Sequence, residues 1–413
     1  MNRRLCAFLL CLLFPASCAC QKQEPPLSGA SSGDPTASAP ADRQTATTAP
    51  SSTLQPAEST ASSGSTSTPT QTPPPSATTA DTATTVATPP TTTTATPVGP
   101  HPAEYVYTAF HNYLGYGCAD PYVVGHDGRW YFCYSTGSTV QVKKMDSPTE
   151  ISKLGADTVF RPPSGTAYST DLWAPELHYI RGEWYIYVTA RSAGGKDDHR
   201  MHVLKGTSQD PTAPFAYAGT LTAPWSIDGT VLEHRGELYF LWAGTHDGGG
   251  ERLYIAHMAS PTRLDSGYVC ISSPTYGWEQ AGAKINEAPA VLKRGGKVYV
   301  VYSASDSATA GYCLGLLTLA GTDPLSAASW VKSSEPILVS GKDAYGPGHC
   351  TFIEDAEGTV WAVYHAKKSA AKGWADRHGR MQPVSFTTDG VPYFEGGTAA
   401  AADVAYYFAL SKR

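Results

Sequence analysis

The 413-residue sequence lacks a long hydrophobic run, a Cys-x-x-Cys pair and a stripe of basic residues. Its main apolar run near the start, Leu5 to Pro15, is too short to span a bilayer, which needs about 20 apolar residues. Without closely paired cysteines after residue 100, we expect no zinc site. Without a basic stripe, and with a net charge of −6, we expect no nucleic-acid partner.

A second absence marks residues 19–100, which contain no Phe, Tyr or Trp and are almost entirely Thr, Ser, Ala and Pro. Such a segment has too little apolar surface to offset the entropy of ordering it. We therefore expect a disordered linker over residues 19–100, holding a folded domain of residues 101–413 away from a membrane.

Residues 1–18 have the order of a secretory signal: two arginines, an apolar run, then small residues before Cys18. The ending Pro15-Ala16-Ser17-Cys18 resembles the lipobox of bacterial lipoproteins, in which the cysteine is lipidated. Cys20 is an alternative acceptor, and an ordinary signal peptide is the simpler alternative. The resemblance implies an exported lipoprotein, anchored at the cell surface or extracellular, that meets the membrane only through its lipid.

A repeat of roughly 54 to 62 residues runs through residues 101–413. Each copy combines a short polar motif, an alternating apolar run, a turn with Gly and an aromatic-rich strand. The five copies begin at Ala119-Asp120-Pro121, Trp173-Ala174-Pro175-Glu176, Ile227-Asp228-Gly229-Thr230, Asn286-Glu287-Ala288-Pro289 and Gly346-Pro347-Gly348-His349. This pattern predicts an all-β, five-bladed β-propeller with a central funnel.

The polar motifs open the first strand of each blade, which is the innermost strand of a propeller. We therefore expect Asp120, Asp228, Glu287 and His349 to hold equivalent positions and to converge on one mouth of the channel. Taken singly, an Asp before Pro or Gly is often only a turn or strand cap. Taken together at matched positions, these groups predict a catalytic funnel.

Three carboxyl groups in one funnel suit glycoside hydrolysis. One carboxylic acid protonates the leaving oxygen, while a second carboxylate activates water or attacks the anomeric carbon. A third acidic group can keep the acid protonated, because like charges raise each other's pKa. Asp120, Asp228 and Glu287 have the residue types for these three tasks.

The ordered set of motifs resembles glycoside hydrolase family 43, from about Tyr105 to Phe394. The resemblance implies a five-bladed propeller and an inverting mechanism. It also implies that Asp120 is the general base, Glu287 the general acid, and Asp228 the group that tunes and orients the acid. Within the family the sequence resembles exo-acting α-L-arabinofuranosidases, through Trp173-Ala-Pro-Glu-Leu-His-Tyr, Tyr299-Val-Val-Tyr-Ser-Ala-Ser, Tyr312-Cys-Leu-Gly and Arg377-His-Gly-Arg-Met-Gln-Pro.

By the same resemblance, Arg380 is expected to reach into the pocket and His349 to sit near the channel axis. Trp173 offers a flat apolar face on which a sugar can stack, although it could equally belong to the core. The implied activity is release of terminal α-L-arabinofuranosyl residues from arabinan or arabinoxylan. The alternatives are a β-xylosidase on the same fold and a sugar-binding propeller without catalysis.

No Asp-rich calcium loop is present, so we expect no metal for the chemistry. The resemblance leaves open a structural calcium or other ion near His349. No cofactor is expected, the expected partner is a plant cell-wall polysaccharide or oligosaccharide, and a monomer is expected.

Overall fold

Five antiparallel sheets dominate the structure, a computed structural model that describes residues 101–151 and 155–412. The sheets are the blades of a β-propeller, which confirms the predicted all-β, five-bladed fold. The predicted signal peptide at 1–18, with Cys18, and the predicted linker at 19–100 lie outside the described residues. In the described part no helix is both long and apolar enough to cross a membrane.

The strands are numbered along the chain. Before the first blade lie β1 (Tyr105–His111) and β2 (Gly115–Tyr116). Blade 1 contains β3 (Tyr122–His126), β4 (Arg129–Ser135), β5 (Val140–Met145) and β6 (Asp157–Phe160). Blade 2 contains β7 (Thr170–Ile180), β8 (Glu183–Arg191), β9 (Arg200–Gly206) and β10 (Phe215–Thr220). Blade 3 contains β11 (Ser226–His234), β12 (Glu237–Gly244), β13 (Arg252–Ser260), β14 (Arg263–Leu264) and β15 (Val269–Ser272).

Blade 4 contains β16 (Asn286–Arg294), β17 (Lys297–Ala304), β18 (Cys313–Leu319) and β19 (Trp330–Lys332). Blade 5 contains β20 (Tyr345–Glu354), β21 (Val360–Lys367) and β22 (Arg377–Pro383), and β2 is its outer strand. The short strands β23 (Ser385–Phe386) and β24 (Pro392–Tyr393) pair with each other, and β25 (Ala405–Lys412) ends the described chain. Single 3₁₀ turns occupy Pro148–Glu150, Gly277–Glu279, Ala327–Ser329 and Glu395–Gly397.

The ring is closed by pairing between the two ends of the described chain. β2 completes blade 5 by pairing with β22, and β1 pairs with β25 over its whole length. Blade 5 therefore combines strands from both ends of the propeller sequence. The repeat does not indicate this closure, because β2 contributes only two residues.

Each interface between neighbouring blades contains its own hydrophobic cluster. Between blades 1 and 2, for example, Tyr131 and Val140 belong to the same buried cluster as Trp184 and Leu204. Both faces of a blade are thus buried, which explains why the middle strands are almost continuously apolar and aromatic instead of alternating. None of the five described cysteines forms a disulfide bond, and four of them are buried: Cys118, Cys133, Cys313 and Cys350.

Each blade has a left-handed residue at a repeated position, within or just before its inner strand, and these residues are spaced like the repeat. Their φ angles are 51° at Asp120, 41° at Ala174, 55° at Asp228, 47° at Ala288 and 47° at His349. In β7, β11, β16 and β20 the pairing register shifts at this position, as at a β-bulge. A bulge redirects the side chains around it, so that each blade can turn one or two of them toward the channel mouth.

Hydrogen bonds between blades hold three of these left-handed residues. The Asp120 N–H donates to Nδ1 of His365 at 3.2 Å, and the His349 N–H donates to Oγ of Ser303 at 2.8 Å. The Asp228 N–H donates to Oγ1 of Thr189 at 3.1 Å. In each case the acceptor lies on the second strand of the preceding blade. The strained residues are therefore fixed by their neighbours as well as by their own strand.

Candidate active site

A cavity of about 470 Å³ opens where the bulges meet. Five of the predicted site residues line it: Asp120, Trp173, Asp228, Glu287 and His349. It is also lined by Trp225, Ile227, Glu251, Ile285, Asp306, Ser307, Tyr312, Trp374 and Arg377. Residues from all five blades thus converge on one pocket, although they are more than 200 positions apart in the chain.

The expectation of equivalent positions is correct for Asp120, Asp228 and His349, which are the left-handed residues of their strands. It is wrong for Glu287, which lies one residue before the left-handed Ala288. Glu287 is therefore equivalent to Trp173 of blade 2. The bulge allows side chains at both positions to face the cavity, and it explains how a residue displaced by one still reaches the site.

Asp120 lies among cationic and donor groups. Its Oδ1 is 3.0 Å from Nη1 of Arg377, 3.3 Å from Nδ1 of His365 and 3.4 Å from Nδ1 of His349. Burial alone would raise the pKa of Asp120, but Arg377 and the two histidines outweigh it and hold the pKa well below its usual range. Asp120 is therefore an ionised carboxylate and can accept a proton.

Glu287 has the opposite surroundings. Burial, followed by the nearby carboxyl groups of Glu251 and Asp228, raises its pKa well above the ordinary value. The Tyr312 hydroxyl donates to Oε1 of Glu287 at 2.8 Å and acts against this rise without cancelling it. These surroundings favour the protonated form of Glu287, which can give up a proton.

Asp228 lies between these two extremes. It is buried, and the Ala288 N–H donates a hydrogen bond to its carboxylate. Burial raises its pKa to about 6, with His349 acting against the rise and Asp120 contributing to it. The carboxyl of Asp228 can thus change its charge near physiological pH and alter the field on Glu287.

Two predicted sugar-binding residues lie on the cavity wall. Trp173 is 40% exposed and stacks on the ring of His199, with the ring centroids 4.1 Å apart. His349 is buried, and its Nδ1 lies 3.4 Å from Asp120 and 3.9 Å from Asp228. Trp173 thus offers an apolar ring at the entrance, while His349 bridges two carboxylates at the cavity floor.

The prediction for Arg380 is wrong. Its side chain is fully buried outside the cavity, where it donates to the backbone carbonyls of Asn112, Ala400 and Asp343. Side chains alternate along β22, so residues 377 and 380 face opposite sides of the strand. Arg377 faces the cavity, and Arg380 instead ties together the chain segments that close the ring.

Several wall residues were missed by the sequence reasoning, chiefly Glu251, Tyr312, Trp374 and Arg377. Tyr312 and Arg377 occur within stretches that carry the family resemblance, so their motifs gave a usable signal. Glu251 and Trp374 lie in loops outside the repeated motif, where no pattern marked them.

Among the described residues, no group of three or more His, Cys, Asp or Glu is arranged to hold a metal ion. Beside His349, Asp120 is already paired with Arg377. These side chains do not fit an ion held by the protein alone, and the structural ion near His349 stays an untested prediction.

Comparison with known proteins gives consistent matches. Residues 117–392 match the family model described as Glycosyl hydrolases family 43. An extracellular exo-alpha-(1->5)-L-arabinofuranosidase of Streptomyces avermitilis is 33% identical over 304 residues, covering 69% of this chain and 63% of that protein. Alpha-L-arabinofuranosidase 43 of Humicola insolens is 34% identical over 67% of this chain and 61% of that protein.

Among solved structures, the crystal structure of an alpha-L-arabinofuranosidase from Lactobacillus brevis superposes with a TM-score of 0.67. It is 31% identical, and the match covers 71% of this chain and 98% of that one. The chain therefore spans nearly the whole crystallised relative but less than two thirds of the length of the two curated relatives above.

The ion pair of Asp120 with Arg377 predicts a pH-dependent loss of stability on Arg377→Gln. The folded-state pKa of Asp120 is depressed, so its stabilising contribution is present above its unfolded pKa of about 4 and is lost as pH falls below it. We expect Arg377→Gln to lower the free energy of unfolding by about 2 kcal/mol at pH 7. The loss should be about 1 kcal/mol smaller at pH 3. Urea unfolding at both pH values measures this.

Arg294→Gln is the matched control, because its pair with Glu354 is exposed and should contribute little at either pH. An Arg377→Gln loss of the same size at pH 7 and pH 3 would contradict the electrostatic account of Asp120.

Proposed function

The chain belongs to glycosyl hydrolases family 43, and on that basis we propose that it removes terminal α-L-arabinofuranosyl units from plant cell-wall arabinan or arabinoxylan. The names of the similar proteins support the arabinofuranosyl specificity. The catalytic proposal depends mainly on one observation in the cavity. Asp120 and Glu287 line the same space, yet the pKa of one is lowered and that of the other is raised.

Opposite pKa shifts of this kind allow one carboxyl group to act as the base and the other as the acid. In the proposed mechanism the Asp120 carboxylate accepts a proton from a water molecule as its oxygen attacks the anomeric carbon. The glycosidic C–O bond breaks, and the leaving oxygen takes the proton of Glu287. The product has inverted configuration, Asp120 is left protonated and Glu287 ionised, and exchange with solvent restores both.

Asp228 is proposed to tune this exchange. Its carboxylate contributes to the raised pKa of Glu287, and it accepts a hydrogen bond from the N–H of Ala288, the residue after Glu287. It can thus influence both the charge and the orientation of the acid. Trp173 and His349 are proposed to contact the sugar from opposite ends of the cavity.

We also propose that the protein is exported and anchored by a lipid on Cys18. The support is the order of residues in 1–18, where an apolar run ends in Pro15-Ala16-Ser17 before the cysteine. An anchored exo-enzyme would act on soluble or wall-bound chains at the cell surface and release single pentoses there.

The substrate proposal predicts that the full-length protein releases L-arabinose, one unit at a time, from the non-reducing ends of 1,5-linked arabino-oligosaccharides. Inversion predicts that the first-formed sugar is β-L-arabinofuranose, which proton NMR detects before mutarotation. The matched control is 4-nitrophenyl β-D-xylopyranoside. Faster release of xylose than of arabinose would favour the β-xylosidase alternative, and first-formed α-arabinose would contradict inversion.

The roles of the carboxyl groups predict different leaving-group dependence for two variants. Glu287→Gln should reduce kcat/KM on 1,5-linked arabinobiose by about 10² to 10⁴-fold, because its basic leaving oxygen needs a proton. It should retain much more activity on 4-nitrophenyl α-L-arabinofuranoside, whose phenolate leaves without one. Asp120→Asn should impair both substrates alike, because it removes the base that activates water.

Steady-state kinetics of the two variants on both substrates measures this difference. Glu237→Gln, at an exposed carboxyl paired with His257, is the control and should behave as wild type. Equal losses on both substrates for Glu287→Gln would argue against its role as the acid. Unchanged activity in both cavity variants would exclude the enzymatic interpretation of the cavity.

The anchoring proposal predicts that Cys18→Ser moves the protein from the membrane fraction to the soluble fraction of the producing cell. Immunoblotting of the two fractions measures the change, and Cys20→Ser is the matched control that should remain in the membrane. If Cys18→Ser stays in the membrane and Cys20→Ser is released, the acceptor is Cys20. Retention of the double variant would contradict lipid anchoring at either cysteine.

A further inference from the structure

Glu251 lies beside Glu287 in the wall of the cavity, immediately before β13. The two side chains line the same cavity, and each carboxyl group shifts the pKa of the other. Two carboxyl groups so placed resist being ionised together, so the arrangement favours at least one proton on the pair. Nothing in the repeat or in the three predicted carboxylates accounts for this fourth acidic group.

The backbone fixes this pairing. The Glu251 N–H donates to the Lys284 carbonyl at 3.0 Å, and the Asn286 N–H donates to the Glu251 carbonyl at 3.1 Å. These two bonds attach blade 3 to the chain just before Glu287. Gly250 permits the approach, since a Cβ there would lie 2.4 Å from the Lys284 carbonyl oxygen, at a φ of 112°. Glu251 is therefore held next to Glu287 by the fold itself.

A purely structural role would give Glu251 different partners. Glu279 is a buried structural carboxylate in the same region: it accepts from Nζ of Lys332 at 2.7 Å and from two backbone N–H groups, and its pKa is lowered. Glu251 has none of these donors, and its Oε2 is buried without a hydrogen-bond partner among the described residues. With so little exposed surface on Oε2, direct binding of a sugar hydroxyl by that atom is also disfavoured.

The charged groups around the pair are mostly acidic. Asp228 and Asp120 face it from the inner strands, and Asp197 and Asp306 face it from the loops of blades 2 and 4. The nearby cations have other partners: Lys372 lies 3.4 Å from Asp306, and Arg252 lies 3.8 Å from Asp247. Tyr312 is the neutral donor to Glu287. The surroundings therefore favour a proton on the pair over two ionised carboxylates.

We propose that Glu251 is a positioning residue: it forms a proton-sharing pair with Glu287 and keeps on that pair the proton that Glu287 delivers to the leaving oxygen. This inference depends on the proposed role of Glu287 as the general acid. In the step itself the proton moves from Glu287 to the glycosidic oxygen, the electron pair of the O–H bond stays on Glu287, and Glu251 remains ionised. The electrostatics agree, since burial and Asp228 raise the pKa of Glu251 to about 7, and burial and Glu251 raise the pKa of Glu287 well above its ordinary value.

Glu251→Gln tests the proposal, because glutamine has the same size and can still accept a hydrogen bond but carries no charge. Without the neighbouring charge Glu287 should lose its proton at lower pH. We expect the basic limb of the kcat/KM profile on 1,5-linked arabinobiose to move down by about 1 to 3 pH units. On 4-nitrophenyl α-L-arabinofuranoside, which needs little acid assistance, the rate should change by less than about twofold.

Asp306→Asn is the matched control, because it removes a charge from the same cavity wall and leaves both Glu251 and Glu287 unchanged. Its basic limb should move by less than about half a pH unit, since a charge that is already paired and more distant has a weaker effect. A basic limb that stays in place in Glu251→Gln, or that moves equally in Asp306→Asn, would overturn the positioning role.

A second measurement does not depend on activity. The pKa values of the pair are raised in the folded state, so its contribution to stability is fully present below the unfolded pKa of about 4.3. This contribution is lost as the pH rises through the folded-state pKa values, that of Glu251 being about 7. The melting temperature of Glu251→Gln should therefore fall less between pH 5 and pH 8 than that of wild type. If the melting temperatures of Glu251→Gln and wild type depend on pH in the same way, the shared proton is overturned. If the wild-type chain is inactive on every arabinofuranoside, the proposed function is contradicted, but the pH dependence of the melting temperature still tests the pair.

Discussion

The left-handed residue at the repeated position in each blade, within or just before the inner strand, is the constraint on which the site depends. A residue of this kind is costly outside glycine, so the surrounding structure must hold it in place. In three blades a side chain on the preceding blade accepts its N–H. In blade 4 the residue at the equivalent acceptor position is Ala243, which has no acceptor, and the Ala288 N–H goes to Asp228 instead. Asp228 thus substitutes for a structural hydrogen bond, and the exchange ties it to the strand that carries Glu287.

This arrangement explains how two kinds of carboxyl group coexist in one small cavity. Blade 5 brings Arg377, His365 and His349 to Asp120, and the guanidinium of Arg377 contributes most to keeping Asp120 ionised. Blades 3 and 4 bring Glu251, Asp228 and the Tyr312 hydroxyl to Glu287, and these surroundings favour its protonated form. The separation follows from which blades supply each wall of the cavity.

The fold and most of the cavity were predictable from the sequence, because the repeated motif occurs at every inner strand. Asp120, Asp228 and His349 could be placed since they occupy the same step of that repeat. The sequence predicted that Glu287 reaches the site. It did not predict that Glu287 lies one residue before the left-handed position, because a bulge adds a residue that does not change the alternation of apolar and polar positions. Arg380 was chosen over Arg377 because both occur in one motif, and a sequence does not say which face of β22 meets the channel. The place of Glu251 in the cavity wall could not be predicted, since it depends on a backbone contact between two blades.

The stability of the propeller bears on whether the cavity serves catalysis or only binding. Buried carboxyl groups with raised pKa values oppose folding as pH rises toward neutral, and Asp228, Glu251 and Glu287 all belong to this class. Five hydrophobic interfaces and the pairing of β1 with β25 supply the stability that tolerates them. A propeller that only bound sugar could use neutral amides or hydroxyls in these places at lower cost, since hydrogen bonding to a sugar does not require a proton poised for transfer. The concentration of such groups beside an ionised Asp120 therefore favours catalysis over binding alone, because acid and base held in opposite states matter only when a bond is broken.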